Sequence, residues 1–242
     1  MGVGYSVSPL HRITHLDMTS MTSRPPTKGS DSSIDQIAEM IGANVGVGTP
    51  RVYSSAVEDI LRWRQGLSVK YHDQLEENLR WDEETTFEVS EDVATSSDVF
   101  FHYIAAILDQ RGTSELDKLI DITEPPRHEY EVVFAEADRR GFGGRFPQLL
   151  LGANLWLPFK RHLMIEEPNW EGKPDRYGSV FHLVDEIITV RAAIADVKPS
   201  FVHASAEETS DKAIFGAWQS SNTILRLAKI AAAKHLPLWT TG

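Results

Sequence analysis

A helix-rich α+β fold, one helical domain with a small sheet, is what this sequence predicts, on three observations. Apolar residues recur at helical spacing in five separate segments, near 55–80, 97–111, 126–140, 179–196 and 211–234. Two apolar stretches, one within 147–167 and one at 236–240, are expected to supply the strands of a small sheet. No internal repeat, heptad run or low-complexity block imposes another architecture.

Composition bounds the rest. The chain has 242 residues, 41% of them hydrophobic, enough to bury one core. Residues 34–242 are expected to form a single globular domain, and 1–33 a disordered tail. That leader holds eleven Ser or Thr and the pair Pro25-Pro26, a composition that does not repay its ordering entropy. No apolar run reaches membrane-spanning length and no secretory signal opens the chain, so a soluble, cytoplasmic protein with no membrane partner is expected. The absence of cysteine excludes disulfides, thiolate metal sites and a thiol nucleophile. A formal net charge of -11 argues against generic nucleic-acid binding, which depends on Lys and Arg displacing counterions.

Along the chain, Ser33 is placed to cap a short helix to Ile41, and Gly42 to Gly48 follows as a flexible, lysine-free glycine run. In the first long helix Val57, Ile60, Leu61, Leu67, Tyr71, Leu75 and Leu79 share a face. Glu76 to Asp98 then holds nine acidic residues against Arg80 alone. It reads as a solvated helix end and loop, or as a docking surface. Within it Glu83, Glu84, Glu88 and Glu91 are the candidate partner-binding acids. In the helix that follows, Phe100, Phe101, Ile104, Ile107 and Leu108 face the core, while Asp98, His102 and Asp109 are expected on a solvated face. Tyr130, Val133, Phe134 and Ala137 mark the third helix, and Gly141 suits its left-handed end.

The stretch Arg139 to Ser179 concentrates the remaining chemistry. Arg139 to Arg161 contains five basic and no acidic residues, interleaved with Gly141, Gly143 and Gly144. Arg139, Arg140, Arg145 and Arg161 are therefore candidate anion binders, although arginines at a helix C-terminus also serve the last carbonyls. Residues 146–159 must be buried as a strand or short helix, which periodicity does not decide. A strand over 161–167 would put His162 and Glu166 on one face, an arrangement for a general acid–base pair. Trp170 and Tyr177, in the loop that follows, suit a partner surface or a pocket lid. The next helix places Arg191 in its apolar stripe, where it needs Glu166 or Glu167 as partner or serves as the floor of an anion site. His182, Asp185 and Glu186 are expected on the opposite, solvated side.

No nucleophile elbow, zinc motif, kinase set or P-loop is present, and no cofactor or metal is named by the sequence. Two functions remain. The first is an acidic interaction protein of inhibitor, immunity or regulatory type, binding a basic protein through the 76–98 surface. The second is a hydrolase or transferase acting on an anionic or phosphorylated small molecule, with arginines as clamp and His162 and Glu166 as acid and base.

Overall fold

The computed structural model describes residues 2–11, 50–119, 122, 127–202 and 213–241. Its elements in chain order are β1 (Gly2–Val7), α1 (Pro50–Lys70), α2 (His72–Leu75), β2 (Val89–Ala94), α3 (Thr95–Arg111), α4 (Arg127–Arg140), α5 (Pro147–Leu150), β3 (Leu155–Leu157), β4 (Ile165–Pro168), β5 (Pro174–Ser179), α6 (Val180–Val197), α7 (Ala213–Lys234) and β6 (Leu238–Thr241). Short 3-10 turns lie at Thr113–Leu119, Gly141–Gly143 and Pro199–Val202. The α-rich α+β class predicted above is the class observed.

The strands form one mixed sheet in the order β2-β1-β6-β3-β5-β4. Only β3 and β5 run parallel; the other neighbours are antiparallel. Helices α3, α6 and α7 pack on one another, and Phe100, Ile104, Ile107, Leu183, Ile187, Ile194, Ile224 and Leu227 are buried there. Helix α3 thus presents the core face its spacing predicts. Gly141, at φ 56°, ends α4 in the left-handed region, where a side chain would be strained. The apolar run of 146–159 resolves into both alternatives, α5 and then β3, with Pro147 at the first turn of the helix.

Three expectations need correction. The assignment of 1–33 to a disordered tail fails for its first residues. β1 lies inside the sheet, paired with β2 from Gly2↔Ala94 to Val7↔Val89 and with β6 from Gly4↔Thr241 to Val7↔Leu238. Tyr5 and Val7 are buried, and the Tyr5 hydroxyl donates to Asp98 Oδ1 at 2.8 Å. Residues 12–33, the proposed cap at Ser33, the short helix to Ile41, the 42–48 glycine run and the 211–212 helix start lie outside the described residues.

The second correction concerns 76–98, which is not a loop throughout, because it contains β2. Likewise the loop expected after Pro168 is a tight turn followed by β5. Asn169 closes that turn, accepting N–H bonds from Glu171 and Lys173 through its side chain, with Gly172 at φ 78°. The third is the register of the two polar helix faces. Asp98 is buried on Tyr5, and Asp109 accepts the Arg145 N–H at 2.6 Å, so neither is solvated. On α6 the buried set is Val180, Leu183, Glu186, Ile187, Val190 and Ile194, while Ile188 is exposed. The stripe is rotated from the predicted one, carrying Glu186 inward and Arg191 to its margin.

Candidate functional site

The two ends of the sheet collect most of the residues singled out by sequence. At one end β2 is the terminal strand, paired along its length with β1 and, among the described residues, with no other strand. Val93 is buried; Ser90, Asp92 and Ala94 are exposed, as are Glu84 and Glu88 upstream. Glu91 reaches across to pair with Arg226 of α7.

Several other acids of 76–98 make contacts within the molecule. Glu83 is the clearest case and corrects its assignment to a partner surface: it is only 5% exposed. Its carboxylate accepts the backbone N–H groups of Leu10 and His11 at 3.3 and 3.2 Å, the His11 ring at 3.2 Å, and the Trp81 indole N–H. It therefore ties the segment after β1 to the aromatic core. Glu76 pairs with Arg161, and Glu77 accepts the Lys160 N–H at 2.7 Å. By exposure Glu76, Asp82, Glu84, Glu88 and Asp92 face outward, with Glu91 half-buried at the strand itself.

At the other end, the β4–β5 hairpin closes on an aromatic cluster centred on Trp63. Trp170 and Tyr177 pack edge-on against it at 5.4 and 5.1 Å between ring centres, and Trp81 at 6.4 Å. The Trp63 indole donates to the Pro168 carbonyl at 2.9 Å, covering the end of the outer strand. Trp170 and Tyr177 thus both take part in packing: Tyr177 is fully buried, which removes it from a partner surface, and Trp170 is half-buried. The Trp170 indole N–H and the Tyr177 hydroxyl find no hydrogen-bond partner among the described residues.

Beside this hairpin is a cleft of about 540 Å³, lined by Leu151, Asn154, Glu166, Glu167, Asp175 and Arg176, with Gly152 and two prolines. Glu167 and Asp175 stand opposite each other in the register. Lys70 and the Tyr71 hydroxyl hold the Glu167 carboxyl below its ordinary range, whereas burial pushes Asp175 up against the pull of the Arg176 N–H. Arg176 is shared by Glu166 at 2.9 Å and Asp138 at 3.2 Å.

The proposed catalytic pair does not form. Glu166 is an exposed partner of Arg176, while His162 precedes β4 rather than lying in it. The His162 ring packs against Phe142 and His182 at 4.6 and 4.7 Å, and its Nε2 lies 3.9 Å from Glu186. Burial, then the neighbouring His182, push the His162 pKa down. Glu186, expected in solvent, is buried and accepts the N–H groups of Gln148 and Leu149, each at 3.0 Å. Burial pushes its carboxyl up to about 8, although the two N–H bonds work in the other direction. Gln148 then accepts the Ser179 N–H at 2.7 Å, so Glu186 supports the start of α6 and the end of β5.

The arginines do not converge on a common anion site. Arg139 makes a forked pair with Glu136 at 2.6 and 2.8 Å, and Arg140 joins Glu136 to Asp109. These two guanidinium groups hold the half-buried Glu136 carboxyl down to about 2. Arg145 lies over Phe146 and Arg161 is paired with Glu76. Arg191 has neither Glu166 nor Glu167 as partner. Its guanidinium stacks 3.7 Å from the centre of the Trp218 ring and donates to the Trp218 carbonyl at 3.2 Å and the Ser221 hydroxyl at 2.8 Å. Among the described residues no group of three or more His, Asp or Glu side chains could hold a metal ion, and no helix is long and apolar enough to cross a membrane. No family model, curated protein or solved structure matches the chain.

Proposed function

We propose that this chain is an interaction protein that takes a basic protein partner on the acidic surface at the outer edge of β2. One observation supports the reading above all: the acidic segment contains the terminal strand of the sheet, and Glu84 and Asp92 are exposed just before it and within it. Between Trp81 and Phe101 the chain has no Lys or Arg, so the charge of this edge is undiluted in sequence. Such a surface accelerates encounter with a basic partner and disfavours acidic ones.

The test reverses Glu84 and Asp92 to Lys, leaving Glu83 and Glu91 in their internal contacts. Association with an immobilised lysine-rich peptide is measured at low and high salt. The reading expects wild type to associate faster at low salt and the variant to lose about tenfold or more in rate, with little remaining salt dependence. Equal rates and equal salt response for both proteins would remove it.

A second reading, a hydrolase, is favoured by the cleft at the other end, where two opposed carboxyls have their pKa values moved in opposite directions. An acid and a base require that separation. Three carboxylates against one guanidinium suit a neutral substrate rather than the anionic one the arginines suggest. Turnover of neutral glycosides or esters that survives Asp175→Asn and Glu167→Gln would exclude this site.

A further inference from the structure

We infer that the basic partner presents an extended segment that adds to the sheet as a strand alongside β2. The inference rests on the acidic-surface reading above and specifies how that surface is read. In a β-strand, N–H and C=O groups are directed alternately to the two sides, and β1 uses one side of β2 from Val89 to Ala94. The six residues of β2 therefore carry a second row of backbone groups along an edge that no other described strand covers.

This edge is firm before any partner arrives. β1 is held on its far side by β6, and the Ser6 and Ser90 hydroxyls are hydrogen-bonded across the β1–β2 pair at 2.9 Å. Val93 is buried in the core, and Glu91 is fixed to Arg226. A preformed edge spares the ordering cost that a flexible loop would incur on docking. The opposite edge is less suited: β4 has four residues, its terminal carbonyl is taken by Trp63, and prolines face each other at the end of its ladder.

Charge selects the occupant. Charged residues on an edge strand discourage pairing with a like edge. A second copy pairing β2 with β2 would bring the exposed Asp92 of each copy onto the same edge. A segment with Lys or Arg at alternate positions places opposite charges across the new ladder, and the backbone bonds provide sequence-independent affinity. The occupant is accordingly a basic extended segment, not a second copy of this chain.

The experiment uses the full-length protein and two synthetic octapeptides of alternating lysine and threonine, one with free backbone amides and one with every backbone nitrogen methylated. Both carry the same charge; only the first can donate to a ladder. The inference expects the free-amide peptide to bind about tenfold or more tightly than its methylated twin, and both to weaken on Asp92→Lys. Equal affinities, each reduced by Asp92→Lys, would overturn strand addition and leave the acidic docking surface standing. Failure of both peptides to bind at millimolar concentration would overturn the docking surface itself.

Discussion

The two outer strands of this sheet present the same hazard, an edge that pairs with no other described strand, and meet it by different means. β4 is short, ends in Pro168 opposite Pro174, and gives its last carbonyl to the Trp63 indole. β2 is six residues long, has no proline, and carries acids instead. Closure by packing removes an edge from further use, whereas protection by charge excludes like surfaces and still admits unlike ones. The contrast is what the proposed docking at β2 draws on, and it gives the aromatic residues behind β4 a packing role.

The largest expected effect comes from removing what holds β2 in the sheet. Deleting Gly2 to Leu10 takes away the strand that joins β2 to β6, and the cooperative thermal transition should be lost with it. A transition preserved within about 2 °C would mean that β1 is dispensable and that β2 has another support. Next comes Glu83→Ala, which leaves two backbone N–H groups and the Trp81 indole without their buried acceptor. A loss of about 3 kcal/mol in urea unfolding is expected, while a loss below about 0.5 kcal/mol would return Glu83 to the surface.

Glu186 probes the closed end. Its ordinary pKa is 4.5 and burial raises it to about 8, so over this interval the folded chain keeps a proton that the unfolded chain has released. Stability from this group is full below pH 4.5, falls as pH rises and is lost above about 8. Glu186→Gln should flatten this part of the stability–pH profile, at the cost of one of the two backbone contacts; an unchanged slope would place the titration elsewhere. The smallest effect belongs to Tyr177→Phe. With its hydroxyl buried and unpartnered among the described residues, its removal should leave stability within about 1 kcal/mol of wild type or raise it. A larger loss would reveal a partner for that hydroxyl.

The helices were legible because apolar residues recur in them at helical spacing, as Phe100, Ile104 and Ile107 do in α3. The outer strands were not, for separate reasons. In β1, Val3, Tyr5 and Val7 alternate with Gly2, Gly4 and Ser6, a period-two signal obscured by the polar residues that follow it. In β2, Val89 and Val93 carry the same alternation, but Glu91 stands between them and makes the segment read as solvated. Side-chain pairings were less accessible still. That Glu186 would turn inward onto α5, and that Arg191 would rest on Trp218 rather than a carboxylate, depends on the rotation of α6 and on which helices pack beside it. A single apolar stripe does not fix that rotation when Phe181, Val184 and Ile188 widen it on the solvent side.

Hydrogen exchange with the free-amide lysine–threonine peptide addresses the central claim most directly, because it reads both sheet edges in one experiment. The account predicts slowed exchange at backbone amides of Val89–Ala94 on adding peptide, with no change at Ile165–Pro168. Protection confined to Ile165–Pro168, or bound peptide that slows neither strand, would contradict it.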